Sequence, residues 1–139
     1  MSDLTIGEVA RGAGVHTSAI RYYESVGLLP APKRVNGRRR YDEAVFQRLG
    51  LIQLVRGAGF GISEMQTLFA AFAEDTPVPL VWQAIAAKKE AEMQAVIEQA
   101  QATQLMLKQA RQCTCEQVGD CVTVHFDEAG IRVSLSCEA

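Results

Sequence analysis

The sequence predicts a mainly α-helical chain in three parts: a winged helix-turn-helix domain, a long coiled-coil dimerisation helix, and a short C-terminal thiolate loop with a β-hairpin. Three observations predict this class. Two short helix patterns are joined by a glycine-containing turn and followed by a small basic hairpin. About 34 residues without glycine or proline then run to Gln112, and all four cysteines follow them. We expect these parts to occupy residues 1–75, 76–112 and 113–139.

The composition of the chain fits this class. Of its 139 residues only 6% are aromatic, which favours helices over a β-sandwich. No apolar run approaches the roughly 20 residues of a membrane span, and the N-terminus lacks a signal-peptide pattern. We therefore expect a cytoplasmic protein without membrane contact, where cysteines are more typical of metal or redox ligands than of disulfides. No nucleophile and base pair is recognisable, so we do not expect an enzyme.

The net charge of −2 conceals two unequal halves. Residues 1–60 contain nine basic and five acidic side chains, a net charge of +4. Residues 61–139 contain five basic and eleven acidic side chains, a net charge of −6. A basic N-terminal half is typical of a domain that binds a polyanion, although chance clustering on a solvated surface gives the same asymmetry. The motifs have to decide between these interpretations.

The first two helices are predicted from their ends. Thr5 and Glu8 form a capping-box pattern that opens the first helix. Either Thr17 or Ser18 is expected to cap the second helix, which stops at Gly27.

A basic β-hairpin and two more helices follow. Asn36 and Gly37 form the strongest short-range hairpin pattern, within a basic segment over 33–41. Asp42 is expected to cap a third helix, and Ser63 with Glu64 to begin a fourth.

The long segment after Pro79 has the 4-3 apolar spacing of a coiled-coil seam. The seam consists of Trp82, Ala86, Lys89, Met93, Val96, Ala100, Thr103, Leu107 and Ala110. Nothing else in the sequence is long enough to cover it, so we expect a homodimer with paired helices. One bent helix folding back on its own domain is the alternative, and the absence of a helix breaker argues against it.

The tail changes to a period of two. Alternating apolar residues over 122–135 predict a β-hairpin with a four-residue turn at 127–130. Its register brings Cys121 to the open end, near Ser136 and Cys137.

The second helix of such a domain usually enters the major groove of DNA with its N-terminus first. The candidate groove-facing residues are therefore His16, Thr17, Ser18 and Arg21. The arginines of the basic hairpin are placed to bind phosphates; they are Arg34, Arg38, Arg39 and Arg40. Tyr22 and Tyr23 can each turn a ring to the core and a hydroxyl to phosphate, and simple core packing is the alternative for either.

These motifs in this order resemble the MerR family of bacterial transcription regulators. The resemblance is carried by residues 4–10, 13–15, 20–24, 27–29, 34, 36–37, 39–41, 59–60 and 62–65, and it extends over 4–112. It implies a homodimer whose long helices pair antiparallel and whose DNA-binding domains recognise a palindromic promoter operator. It also implies that a bound effector makes the dimer bend and untwist the DNA for RNA polymerase. Arg21, Tyr23, Arg34 and Arg39 carry over as DNA contacts.

The cysteines are the candidate effector ligands, because thiolates select soft metal ions. Cys113 and Cys121 resemble the cysteine pair of the family's metal sensors, and Cys115 and Cys137 are further candidate ligands. Residues 76–80 contain no thiol, where the family's sensors of divalent ions usually add a partner cysteine; this favours Cu(I) or Ag(I). Three or four thiolates in one subunit would instead suit a divalent ion such as Zn, Cd, Hg or Pb.

Other functions remain open for the same cysteines. Cys113, Cys115 and Cys121 also resemble the last three ligands of the [2Fe–2S] motif in the family's superoxide-response regulators. Ala110 stands where the first ligand would be, so Cys137 would have to replace it. Thiol oxidation between Cys121 and Cys137 is a third possibility. A metal-buffering thiol protein with incidental DNA affinity is the alternative from another class.

Overall fold

The computed structural model describes residues 3–137 of the chain. The helices are α1 (Ile6–Ala13), α2 (Thr17–Ser25), α3 (Ala44–Gly57), α4 (Ile62–Ala73) and α5 (Val78–Arg111). Two antiparallel hairpins are formed by β1 (Lys33–Val35) with β2 (Arg38–Arg40), and by β3 (Val122–Asp127) with β4 (Gly130–Leu135). A 3-10 turn, Val118–Cys121, precedes β3. The predicted mainly helical class, with a long helix, is confirmed.

The described chain divides within α5, after Ile85, into two compact units. The start of α5 belongs to the N-terminal unit because Val81 is buried in its core, and the Trp82 ring meets the Phe72 ring edge-on at 5.5 Å. The predicted boundary at 75/76 lies before this point. Sequence spacing alone does not register that the first turns of a long helix pack on the preceding domain.

The core of the N-terminal unit is made by apolar residues from all four short helices and the loops between them. Its most deeply buried members are Val9, Ile20, Leu28, Leu49, Ile52, Val55, Met65 and Leu68. The predicted capping box of α1 is confirmed: the backbone N–H of Thr5 donates to Glu8 Oε2 at 2.8 Å, and that of Glu8 donates to Thr5 Oγ1 at 3.3 Å. These bonds fix where the first helix of the pair begins.

The structure begins α4 at Ile62 rather than at Ser63, with Gly61 as its N-cap. Two further predicted helix starts also differ from the structure. The prediction that Thr17 or Ser18 caps α2 is wrong, because His16 is the N-cap and its carbonyl accepts from the backbone N–H of Ala19 at 3.0 Å. The N-cap of α3 is Glu43 rather than Asp42, although Asp42 Oδ1 still accepts from the N–H of Ala44 at 2.9 Å. In both cases the backbone enters the helix at a residue whose own side chain makes no capping bond.

The basic hairpin has the predicted tight turn, and we call it the wing (33–40). Asn36 (φ 50°) and Gly37 (φ 75°) both adopt left-handed backbone angles, as this kind of two-residue turn requires. Arg34 pairs with Arg39 across the two strands. Leu4 and Tyr41 exchange backbone hydrogen bonds of 2.9 Å, which attach the wing to the start of the chain.

The C-terminal unit contains most of α5 and the second hairpin. α5 has 34 residues, a length of about 50 Å. No helix in the described residues is both long and apolar enough to pass through a membrane. The β3–β4 register is the predicted one, with Val124 opposite Val133, but its turn has two residues rather than four because Asp127 pairs directly with Gly130.

Candidate nucleic-acid interface and metal centre

The exposed face of α2 contains most of the residues predicted to face a DNA groove. His16, Ser18 and Arg21 are exposed, and Thr17 is half-buried. Ile20, by contrast, is fully buried in the core. Residues three and four positions apart share one side of a helix, so Thr17, Ser18 and Arg21 form one surface.

The two neighbouring tyrosines of α2 have different surroundings. Tyr22 is 49% exposed, whereas Tyr23 is 5% exposed and belongs to the core. The hydroxyl of Tyr23 accepts a hydrogen bond of 3.3 Å from Arg56 Nη1. Tyr22 thus has surface available for a partner, and Tyr23 has the packing role that sequence reasoning left open.

The four wing arginines fall into two pairs. Arg34 and Arg38 are exposed, and Arg34 Nη1 donates to the Gly37 carbonyl at 3.2 Å. Arg39 and Arg40 are half-buried and face carboxylates: Arg39 Nε lies 3.2 Å from Glu24 Oε2, and Arg40 Nε lies 3.7 Å from Asp3 Oδ2. The first pair offers charge to solvent, and the second pair also fixes the wing in place.

Glu24 links the wing to α2. It accepts from Arg39 Nε through one oxygen and from the Tyr41 hydroxyl through the other. Burial raises the pKa of Tyr41 above its usual value, and the hydrogen bond to Glu24 adds to this effect. The Tyr41 phenol therefore remains protonated and keeps donating to the carboxylate.

Arg56 is a candidate contact that sequence reasoning missed. It is exposed and lines a surface depression together with Tyr22, Phe60 and Ile62. Arg56 follows Tyr22 by more than thirty positions, so no local motif connects them. The available sequence feature was a basic residue in the last turn of a helix, which is too common to indicate a site by itself.

The four cysteines converge in the C-terminal unit. Their sulfur atoms all lie within 4.8 Å of one another. Cys113 Sγ is 3.1 Å from Cys137 Sγ and 3.2 Å from Cys121 Sγ, and Cys115 Sγ is 3.8 Å from Cys137 Sγ. All four side chains are half-buried. We call this group the thiol cluster.

Three different elements bring these thiols together. Cys113 follows the end of α5, where its N–H donates to the Ala110 carbonyl at 3.2 Å, and Cys121 ends the 3-10 turn. The N–H of Ser136 donates to the Cys121 carbonyl at 2.9 Å, so the strand register places the next residue, Cys137, beside Cys121. The predicted proximity of these two residues is confirmed.

The thiols of the cluster differ in pKa. Cys113 accepts a hydrogen bond from Cys137 and further ones from Cys115 and Cys121, which lowers its pKa to about 7. Donation to Cys113 raises the pKa of Cys137 to about 11, and the same interaction raises the pKa of Cys121. Cys113 is therefore the first of these three thiols to ionise, and the thiolate is the form of cysteine that can bind a soft metal ion.

A helix pair with an exposed second helix, a basic wing and a following thiol cluster defines a helix-turn-helix protein of the DNA-binding type. The family model described as "MerR HTH family regulatory protein" matches residues 4–71, and the one described as "MerR, DNA binding" matches residues 46–121. The chain belongs to the MerR family, as its motifs predicted. The family consists of transcription regulators rather than enzymes.

Several relatives and one solved structure locate the chain within the family. The mercuric resistance operon regulatory protein of Bacillus cereus is 38% identical over 71 residues, which cover 50% of this chain and 54% of that protein. An HTH-type transcriptional regulator of Pseudomonas aeruginosa is 33% identical over 97 residues, covering 69% of this chain and 74% of that one. The chain thus matches about half the length of the mercury-resistance relatives.

The solved structure is that of the regulator PbrR691 from Ralstonia metallidurans CH34 in complex with lead(II). It superposes with a TM-score of 0.68 at 27% identity, covering 83% of this chain and 91% of that one. Because 83% of this chain is covered, the likeness extends beyond the N-terminal unit.

Proposed function

We propose that this chain is an effector-responsive transcription regulator that binds a palindromic promoter operator as a homodimer. A thiophilic metal ion held by the C-terminal cysteines is the effector. The observation that carries this proposal is the thiol cluster, which follows the long helix of a MerR-family chain. Bound metal makes the dimer distort the operator, and RNA polymerase then uses the promoter. Such a protein works in the bacterial cytoplasm, where the DNA is.

DNA recognition is supported by the exposed face of α2 and by the wing. On α2, the side chains positioned to enter the major groove are those of Thr17, Ser18 and Arg21. The flanking His16 and Tyr22 are positioned to reach the sugar-phosphate backbone of the DNA. Arg34 and Arg38, which are exposed, supply positive charge for phosphates on either side. Arg39 and Arg40 contribute both charge and position. Tyr23 lies in the core, and its hydroxyl accepts from Arg56 of α3.

Dimerisation is supported by the surface of α5. Large apolar side chains remain exposed along it in a single chain, including Met93, Val96 and Leu107 of the predicted seam. Monomeric proteins rarely leave a continuous apolar stripe in water, so a partner helix is the simplest cover. The antiparallel arrangement follows the family.

A metal effector is supported by the donor set and by the relatives. Four thiols within 4.8 Å of one another form a soft site, which selects thiophilic ions over Mg²⁺ or Ca²⁺. The similar proteins include a regulator of mercuric resistance and a regulator solved with lead(II). All four cysteines, Cys113, Cys115, Cys121 and Cys137, are proposed as ligands.

Thiol oxidation is the second candidate function. The sulfur atoms of Cys113 and Cys137 are 3.1 Å apart, so a disulfide would need little movement of the sulfurs themselves. A [2Fe–2S] centre is less well supported. Each of its two irons binds its own pair of thiolates, and the two pairs lie on opposite sides of the iron–sulfur unit. The four thiols here all lie within 4.8 Å of one another. A metal-buffering protein would have the thiol cluster without needing the exposed α2 surface.

The test begins with an operator selected by the wild-type chain from a random duplex library. Transcription from a promoter containing that operator is measured with bacterial RNA polymerase, with and without Hg(II), Pb(II), Cd(II), Zn(II) and Cu(I). We expect at least one of these ions to change transcription, and Cys113→Ser to abolish the response while keeping operator binding. An anaerobically purified protein that responds only to peroxide would support the redox candidate instead. A chain that binds metal but selects no operator would identify a buffer.

A further inference from the structure

The spacing of the thiol cluster suits a single four-coordinate ion. Tetrahedral zinc with metal–sulfur bonds of about 2.3 Å places its sulfur ligands about 3.8 Å apart. The measured sulfur separations of 3.1, 3.2 and 3.8 Å need only a slight expansion to reach this value. None of the six pairs exceeds 4.8 Å, so no thiol has to travel to the ion from elsewhere.

Linear two-coordinate binding fits the cluster less well. A linear ion has its two sulfur ligands on opposite sides and leaves other donors unbound. Here Cys137 Sγ is close to both Cys113 Sγ and Cys115 Sγ, at 3.1 and 3.8 Å. A two-thiolate ion would leave two more thiols beside it without a role.

The fourth thiol, that of Cys137, is held in place by hydrogen bonds within the same chain. Cys137 directly follows Ser136, whose N–H donates to the Cys121 carbonyl at 2.9 Å and whose hydroxyl donates to the Asp120 carbonyl at 3.1 Å. These bonds hold the end of the hairpin against the 3-10 turn. Residues 76–80, around the start of α5, contain no Cys, His, Asp or Glu. The four thiols of one chain already supply the number of donors that a tetrahedral ion binds.

The charge of the surrounding segment favours a doubly charged ion. Residues 112–137 contain four acidic side chains and one basic one, a net charge of −3 before any thiol ionises. Four thiolates add more negative charge, and a divalent ion neutralises twice as much of it as a monovalent ion does.

We infer that the thiol cluster is a tetrathiolate site for one divalent, four-coordinate thiophilic ion of the Zn(II) and Cd(II) class, built by Cys113, Cys115, Cys121 and Cys137 of a single chain. This inference rests on the proposed function and specifies its effector. Each thiol gives its proton to solvent as it binds, so loading releases protons. The hairpin contributes by delivering Cys137.

Titration of the reduced, metal-free full-length dimer with Cd(II) and with Co(II) under argon tests the coordination. We expect one ion per chain, a sulfur-to-cadmium charge-transfer band, and the intense visible bands of tetrahedral cobalt. Cys115→Ser and Cys137→Ser should each remove about a quarter of the cadmium band, because one of four thiolates is lost. Thr114→Ser, between two ligands, is the matched control and should leave the spectra unchanged.

A mixture of the Cys113→Ser and Cys137→Ser chains tests whether one chain is sufficient. If the ligands come from a single chain, each of the two sites in the mixed dimer lacks one thiolate, so neither site shows the tetrathiolate cobalt spectrum. One site per mixed dimer with that spectrum, beside a second site that has lost two thiolates, would overturn the single-chain site. The four-thiolate assignment would be overturned by unchanged spectra in both Cys115→Ser and Cys137→Ser. It would also be overturned if Cu(I) displaced Cd(II) and was bound by only two of the thiolates.

Transcription measurements separate this inference from the proposed function. If the chain forms the cadmium tetrathiolate but cadmium does not change transcription, the metal site stands and the effector role is contradicted. If Cys137→Ser responds to metal as strongly as the wild type does, the four-ligand site is contradicted and the proposed regulatory function stands.

Discussion

Arg21 and Tyr23 lie two positions apart on α2, yet one is exposed and the other is in the core. The sequence made both of them candidates for DNA contact because an arginine and a tyrosine each have a polar end that can reach phosphate. An aromatic ring on an amphipathic helix fits either a core or an interface, and sequence spacing alone could not separate these roles for Tyr22 and Tyr23. Only their burial in the folded domain does so.

Replacing Arg21 tests the groove-facing surface of α2. We expect Arg21→Ala to weaken binding of the selected operator by about 1–3 kcal/mol, because a base or phosphate contact is lost. Arg21→Lys keeps the charge but not the planar fork, so it should restore the salt dependence without restoring sequence discrimination. Fluorescence anisotropy over a range of salt concentrations measures both. Wild-type affinity and salt slope in Arg21→Ala would show that this surface does not face DNA.

Two leucines of α3 provide a matched test of the core. Leu49 is 0% exposed and Leu54 is 67% exposed. Leu49→Ala should lower the free energy of unfolding by about 2–5 kcal/mol, since it leaves a cavity. Leu54→Ala should change it by less than about 0.5 kcal/mol. Urea denaturation followed by circular dichroism gives both values, and similar losses in the two variants would contradict the described orientation of α3.

The capping box and the tight wing turn are the element ends that the sequence located best. The Thr5 capping box and the wing turn at Asn36 and Gly37 are found where their motifs predicted them. The start of α2 was predicted too late, because its first carbonyl comes from His16 and no side chain caps it. A helix that begins by backbone bonding alone carries no capping motif for sequence reasoning to find.

Glycine substitutions of opposite effect test the wing turn. Gly37 has φ 75°, so Gly37→Ala should destabilise the turn by about 1–2 kcal/mol and weaken operator binding through the displaced wing arginines. Gly50 lies within α3 with open space around its Cβ position, so Gly50→Ala should stabilise the chain by about 0.5–1 kcal/mol. Thermal unfolding and operator titration are compared for the two variants. Equal operator affinity in Gly37→Ala and wild type would exclude a role of the wing.

At the scale of the whole chain, the sequence predicted the order of the parts better than their connections. The long helix and the strand register follow from local periodicity, and they were predicted correctly. Convergence of Cys115 with the other thiols depends on how the loop from 113 to 121 folds, which has no periodic pattern. The packing of Val81 and Trp82 on the N-terminal core likewise depends on the loop before α5. Contacts of this kind are set by tertiary packing and leave no local motif.

Two exposed leucines on opposite sides of α5 test the dimer. Leu107 lies on the predicted seam and is 53% exposed, and Leu105, on the other side of the helix, is 60% exposed. Leu107→Asp should shift the chain from dimer to monomer because a buried carboxylate is costly in a helix interface. Leu105→Asp should leave the dimer intact. Sedimentation equilibrium measures both, and a monomeric Leu105→Asp together with a dimeric Leu107→Asp would place the interface on the other face.

The hydrogen bonds that Glu24 accepts have a mechanical consequence. By accepting from Arg39 and Tyr41, this carboxylate joins the wing to α2. A protein that acts by bending a DNA duplex bends it less if its own DNA-binding elements move relative to each other. In the proposed complex, the joined wing and α2 keep their shape, and the DNA duplex is the part that bends.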